Sequence, residues 1–100
     1  MLKHVVTWNV KDKSQKAQSC AQAKAALEGL RGRIPGLLAI ECAQHGGEAN
    51  PAAADFILYS EFTDSAALGV YADHPLHLVA KDVVAAVMTD RRVVDWESQG

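Results

Sequence analysis

The run Tyr71-Ala72-Asp73-His74-Pro75-Leu76-His77 gathers a phenol and two imidazoles around one proline. An unperturbed imidazole titrates near pH 6.5, so a neutral His77 could take a proton from carbon or oxygen near neutral pH. The Tyr71 hydroxyl could donate to the enolate such a step develops. His77 as base and Tyr71 as donor are the minimum kit for an aldol-type closure. The same two side chains also read as a buried hydrogen-bonded lock on a helix break, because buried polar groups need partners whether or not they react.

Pro75 cannot continue a helix from its N-terminal side, but it fits the first helical position, so His74 should sit at a helix start. The spacing predicts a helix over Pro75–Met88, with His77, Ala80, Val84 and Val87 as one inward stripe. A short helix over Ser65–Tyr71, capped by Thr63 or Asp64, precedes it and brings Tyr71 to the break.

Strict alternation makes Leu2–Val10 the first strand, with Leu2, His4, Val6, Trp8 and Val10 on one face. Ser14 to Gly32 predicts an amphipathic helix, with Cys20, Ala23, Leu27, Leu30 and Ile34 stepping inward by three and four. Leu37–Ala43 reads as a second strand with Leu38, Ile40 and Cys42 on one side and Leu37, Ala39 and Glu41 on the other. A loop over Gln44–Ala53, rich in glycine, asparagine and proline, separates it from a third strand, Phe56–Phe62. Arg91–Glu97 gives the fourth. Arg91 and Arg92 alternate sides there, so one of them could reach a pocket carboxylate.

The order strand, helix, strand, strand, helix, strand matches the ferredoxin-like βαββαβ arrangement. That is an α+β fold, a four-stranded antiparallel sheet with two helices on one face, and it fills residues 1–100 as a single domain. Helices cover only one sheet face, yet the other carries Val5, Leu37, Ile57, Tyr59, Val94 and Trp96, too apolar for water. A second copy packed sheet to sheet is the expected cover, a homodimer.

Net charge is −2 and the basic residues are scattered, so nucleic acid is not an expected partner. No apolar run approaches the roughly 20 residues of a membrane span, and Met1 leads directly into a strand pattern, so no membrane partner is expected either. Cys20 and Cys42 do not form a C-x-x-C and face inward, which suits a reducing cytoplasm. His4, His74, His77 and Glu61 offer zinc-compatible donors. The H-x-x-H spacing starting at a helix cap lacks the i, i+4 geometry of a helical pair, so no metal is expected.

Met1-Leu2-Lys3-His4-Val5-Val6, Ile34-Pro35-Gly36, Glu61-Phe62, Tyr71-x-x-His74-Pro75-x-His77 and Val94-Asp95-Trp96 resemble, in order and spacing, the stress-responsive A/B barrel (Dabb) family of the dimeric α+β barrel group. The resemblance implies that two protomers close their sheets into a β-barrel. Similar domains include plant stress proteins, bacterial proteins of unknown role and a few polyketide cyclases, so several functions remain open. By position, the resemblance lines a cavity between sheet and helices with His4, Tyr71 and His77, and leaves His74 a structural part. The inward residues Val6, Trp8, Leu27, Ile40, Leu58, Ala80 and Met88 would then contact a small apolar or aromatic ligand, with no cofactor. The three open readings are a ligand-binding domain, a cyclase-like or lyase-like enzyme, and a structural dimerisation module whose cavity side chains would fill. Monooxygenases and haem-degrading enzymes of the same barrel group use asparagine, tryptophan and histidine, but the adjacent Trp8 and Asn9 must point to opposite faces.

Overall fold

A computed structural model describes residues 1–99; Gly100, the last residue of the expected 1–100 domain, lies outside the described residues. The elements are β1 (Leu2–Val10), a 3-10 turn (Lys13–Gln15), α1 (Lys16–Glu28), β2 (Leu37–Gln44), β3 (Phe56–Phe62), α2 (Ser65–Asp73), α3 (Pro75–Val87) and β4 (Met88–Glu97). The sheet runs β2-β3-β1-β4 with every neighbouring pair antiparallel, the ferredoxin-like fold expected from the element order. β1 alternates buried and half-buried along its whole length, so Leu2, His4, Val6, Trp8 and Val10 all enter the core.

The first helix is shorter than its periodicity suggested. Asp12 caps a 3-10 turn through the Ser14 N–H, α1 begins at Lys16, and it ends at Glu28 rather than Gly32. Tight turns, closed by Leu30 N–H to Leu27 and Arg31 N–H to Glu28, carry the chain onward, and Gly32 takes a positive φ. Leu30 and Ile34 are still buried, because the turns preserve the spacing of their side chains. Ala23, fully buried, lets α1 lie close to its neighbours. β2 is an edge strand, and side chains of α1 and of the turn after it cover free backbone groups there: Arg31 donates to the Ile40 carbonyl, Lys24 to the Cys42 carbonyl, and Glu28 accepts from the Cys42 N–H.

Two bulges break the period-two rule. In β2, Leu37 pairs with Phe62 and Ala39 with Glu61, so Leu38 is an extra residue. Leu37, expected on the outer face, packs instead against the core, and Leu38, expected inside, is 53% exposed. Two inward side chains, Leu37 and Ile40, can be three apart only because of this bulge. The second bulge lies where β1 meets β4: Thr7 opposes Arg92 and Asn9 opposes Thr89, so Trp8 faces two residues, Asp90 and Arg91. Asp90 takes the strain at φ 55, a region that aspartate tolerates better than most residues, and the Asn9 amide donates to its carboxylate. β4 consequently starts at Met88, three residues before the sequence pattern became readable.

The rest of the outer face is as the sequence suggested. Val5 pairs with Val94 and Lys3 with Trp96, and Ile57, Val94 and Trp96 are exposed on the single chain.

Candidate functional site

The proline break is built from backbone outward. Asp64, rather than Thr63, caps α2 by accepting the Ala67 N–H. His74, extended at φ −66 and ψ 134, ends α2 and starts α3: its N–H donates to the Tyr71 carbonyl, and its Nδ1 accepts the Leu76 N–H at 3.1 Å. Pro75 then occupies the first turn, where its missing donor costs nothing. The His74 imidazole is thus spent on shaping the bend.

The bend delivers Tyr71 into an aromatic cluster. Its ring is 5.0 Å from Phe62 and 6.3 Å from His4 in edge-on geometry, and 4.1 Å from His77 in a tilted stack. Tyr71 and His77 do not hydrogen-bond to each other, which removes the expectation of a hydrogen-bonded lock. The Tyr71 side chain is 2% exposed and its hydroxyl is buried without a hydrogen-bond partner. Such a group costs roughly 1–3 kcal/mol when left unpaired. Burial pushes its pKa up, so it is a donor at neutral pH.

The Nδ1 of His77 lies 3.1 Å from the Ala72 carbonyl. A carbonyl only accepts, so Nδ1 carries the proton and the neutral ring keeps its lone pair on Nε2. Burial lowers the His77 pKa; the Ala72 bond opposes this, while Lys81, His4 and Arg91 push it down further. At neutral pH the ring is therefore an uncharged base. His4, also buried, donates Nδ1–H to Asp95 at 2.5 Å across the β1–β4 pair, which fixes its ring beside Tyr71.

Beside this cluster opens a cleft of about 200 Å³. Its walls are Val6, Trp8 and Leu58 from the sheet, Leu27 from α1, Tyr71 and Ala72 from α2, His77, Lys81, Val84 and Ala85 from α3, and Arg91 from β4. Of the residues the sequence suggested, His77, Tyr71, Val6, Trp8, Leu27 and Leu58 meet at this cleft. His4, Ile40, Ala80 and Met88 are buried but do not line it. On α3 the cleft follows His77, Lys81, Val84 and Ala85, one residue round from the predicted stripe through Ala80 and Val87. Lys81 carried no signal in the sequence, since a helix-surface lysine is ordinary, and Asp95 entered only within the Val94-Asp95-Trp96 run, with no role assigned to it. Arg91 reaches the cleft while Arg92, opposite Thr7, points to the other side.

Other reactive groups are spent or hidden. Burial raises the pKa of Cys20, and pushes that of Cys42 up to about 12, so both free thiols stay protonated. Glu61 is engaged by the Tyr59 hydroxyl on the outer face, and His45 in its exposed loop contacts the Glu48 carbonyl. Among the described residues no three His, Cys, Asp or Glu side chains gather to hold a metal ion, and no helix is long and apolar enough to cross a membrane.

The family model described as "Stress responsive A/B Barrel Domain" matches residues 2–98. No curated protein matches the chain. Among solved structures, a dimeric protein of unknown function with a ferredoxin-like fold from Bacteroides fragilis is 30% identical, with a TM-score of 0.82 and coverage of 97% of this chain and 95% of that one. A Dabb family protein from Mesorhizobium loti is 20% identical, TM-score 0.72, covering 99% and 97%. A structure named as an antibiotic biosynthesis monooxygenase is 19% identical, TM-score 0.74, covering all of both chains, and at that identity shares the fold alone.

Proposed function

The chain belongs to the stress-responsive A/B barrel domain family, and from that premise we propose that it binds a small apolar or aromatic ligand in the cleft beside Tyr71 and His77. One observation carries the reading: Tyr71, whose buried hydroxyl has no partner, lines an open, largely apolar cleft. A ligand that accepts a hydrogen bond there would recover what the empty fold forgoes. Ile40, Ala80 and Met88 stand behind the walls rather than at them, and His4 acts through Tyr71. The third reading, a dimerisation module with a filled interior, sits poorly with that open volume.

The protomer is half of the assembly we infer. Ile57, Val94 and Trp96 leave an apolar sheet face uncovered, and the relatives from Bacteroides fragilis, Thermobifida fusca and Jannaschia are each described as dimeric. Burying such side chains contributes roughly 1.5–3 kcal/mol each before association costs. A second copy packed sheet to sheet would close a barrel. In sedimentation, Trp96→Lys should run as a monomer; an unchanged dimer would place the interface elsewhere. The two free, buried cysteines suit the cytoplasm.

An enzymatic reading is favoured by His77 specifically. Its Nδ1–H is pinned, its Nε2 lone pair is left over, and its charge is suppressed, as a general base requires. In that reading His77 takes a proton from the ligand, Tyr71 donates to the developing oxyanion, and the Asp95-held His4 keeps the Tyr71 ring in place. A thermal-shift screen of aromatic and polyketide-like compounds should yield a ligand. His77→Ala and Tyr71→Phe then divide the readings: binding without turnover means a binder, whereas turnover untouched by either variant excludes the acid–base pair. A screen with no ligand at all would remove the cleft from consideration.

A further inference from the structure

We propose that the cleft selects organic anions, and that its ligand is a one- or two-ring or short aliphatic carboxylic acid held through its carboxylate by Arg91 and Lys81. The inference rests on the cleft being the binding site and names what it binds.

Charge is the first ground. The chain as a whole carries −2, yet the cleft is lined by two cations and no acidic residue. Among the described residues neither Lys81 nor Arg91 has a hydrogen-bond or ion-pair partner, whereas Lys13, Lys16 and Lys24 each pair with a carboxylate. With His77 neutral, no acidic side chain at the cleft offsets the two charges, both of which are carried by solvent-exposed residues that an entering anion can reach.

Backbone geometry is the second, and it is independent of the first. Val93 pairs with Val6 and Met88 with Val10, so both face the helices. In a regular strand two residues five apart cannot share a face. The bulge at Asp90 resolves that parity for Met88, while Arg91 keeps the inward face of Val93 by ordinary alternation and stands beside Trp8. The strand register thus sets this cation at the cleft rather than on the outer sheet face, whatever its charge.

Size and shape set the rest of the ligand. About 200 Å³ lies below the roughly 300–1,000 Å³ of most small-molecule sites, which limits the apolar body to one or two rings or a short chain. Val6, Trp8, Leu27 and Leu58 offer it apolar walls, and the Tyr71 hydroxyl is left to donate to a second oxygen.

The test is calorimetric titration of the full chain with benzoate, 2-naphthoate and octanoate, each against its neutral primary amide. At least one acid should bind about tenfold more tightly than its amide, and weaken as ionic strength rises. Arg91→Gln and Lys81→Gln should each erode that preference, and the double variant should abolish it while keeping the amide's affinity. Equal affinity for acid and amide, or a preference that survives the double variant, overturns the anion assignment and leaves the cleft as a binding site. If no acid and no amide binds, the cleft reading itself fails and this inference goes with it.

Discussion

Two polar constellations reach from this protein's surface into its core, and they are settled in opposite ways. Asp55, just before β3, accepts the Val10 N–H at 2.9 Å, Lys13 at 2.5 Å and Lys16 at 3.3 Å. Burial alone would raise its pKa, but those bonds overcome it and hold the carboxyl at about 2. The cluster at the helix break leaves a buried hydroxyl unpaired, an imidazole nitrogen spare and two cations without counter-charges. A polar group that serves the fold is saturated by the fold. One that the fold leaves unsaturated is available to a ligand.

The contrast is broken most severely at Asp55. Asp55→Ala leaves the Val10 N–H buried without an acceptor, a loss of about 1–3 kcal/mol in urea unfolding at pH 7. The wild type should also shed Asp55's contribution in acid. A folded pKa of about 2, against 3.8 unfolded, means the unfolded chain binds the proton first, so the stabilisation is whole above 3.8 and vanishes as pH falls toward 2. The variant should lack that component of the acid transition. Equal stability of variant and wild type would show that the saturated cluster is idle.

Tyr71→Phe should go the other way. Removing an unpaired hydroxyl from an otherwise intact ring stack leaves stability unchanged or raises it by up to about 1 kcal/mol, while affinity for any cleft ligand falls. A clear destabilisation would mean that the hydroxyl serves the fold after all.

The sequence made some of this contrast legible and hid the rest. β1 could be read residue by residue because its alternation is local and uninterrupted, and the His74–Pro75 break because proline acts on its immediate neighbours. Leu37 and Leu38 exchanged faces because a bulge adds one residue that no period-two count foresees. Asp55 gave no sign of its role, since its partners lie 39 to 45 positions away and meet it only when β1 and β3 pair. The Tyr71–His77 pair was found, but whether two adjacent polar rings bond or stack depends on ring orientation, which spacing does not encode.

His77 offers a subtler comparison, read by its ring resonances in a pH titration. Its midpoint should lie below 6.5, chiefly through burial, with the Ala72 carbonyl opposing and Lys81, His4 and Arg91 assisting. In the Lys81→Gln, Arg91→Gln double variant it should rise part of the way back, since burial remains. The folded pKa is depressed, so the contribution to stability is whole above about 6.5 and shrinks as pH falls below it. A midpoint at or above 6.5 would remove His77 as an uncharged base.

The smallest effect discriminates most finely. Lys81→Gln and Arg91→Gln should each change unfolding stability by no more than about 0.5 kcal/mol, because neither cation has a partner to lose and their mutual repulsion is relieved. Lys13→Gln, on a side chain that is also exposed, should lower the urea midpoint, because it removes the hydrogen bond that Lys13 donates to Asp55. The fold thus predicts different costs for the same chemical change at three lysine and arginine positions, set by whether a carboxylate of the chain awaits the charge. If Arg91→Gln costs as much as Lys13→Gln, Arg91 is holding the β4 bulge together rather than waiting for a ligand. The distinction between saturated and unsaturated clusters would then fail at the residue on which it most depends.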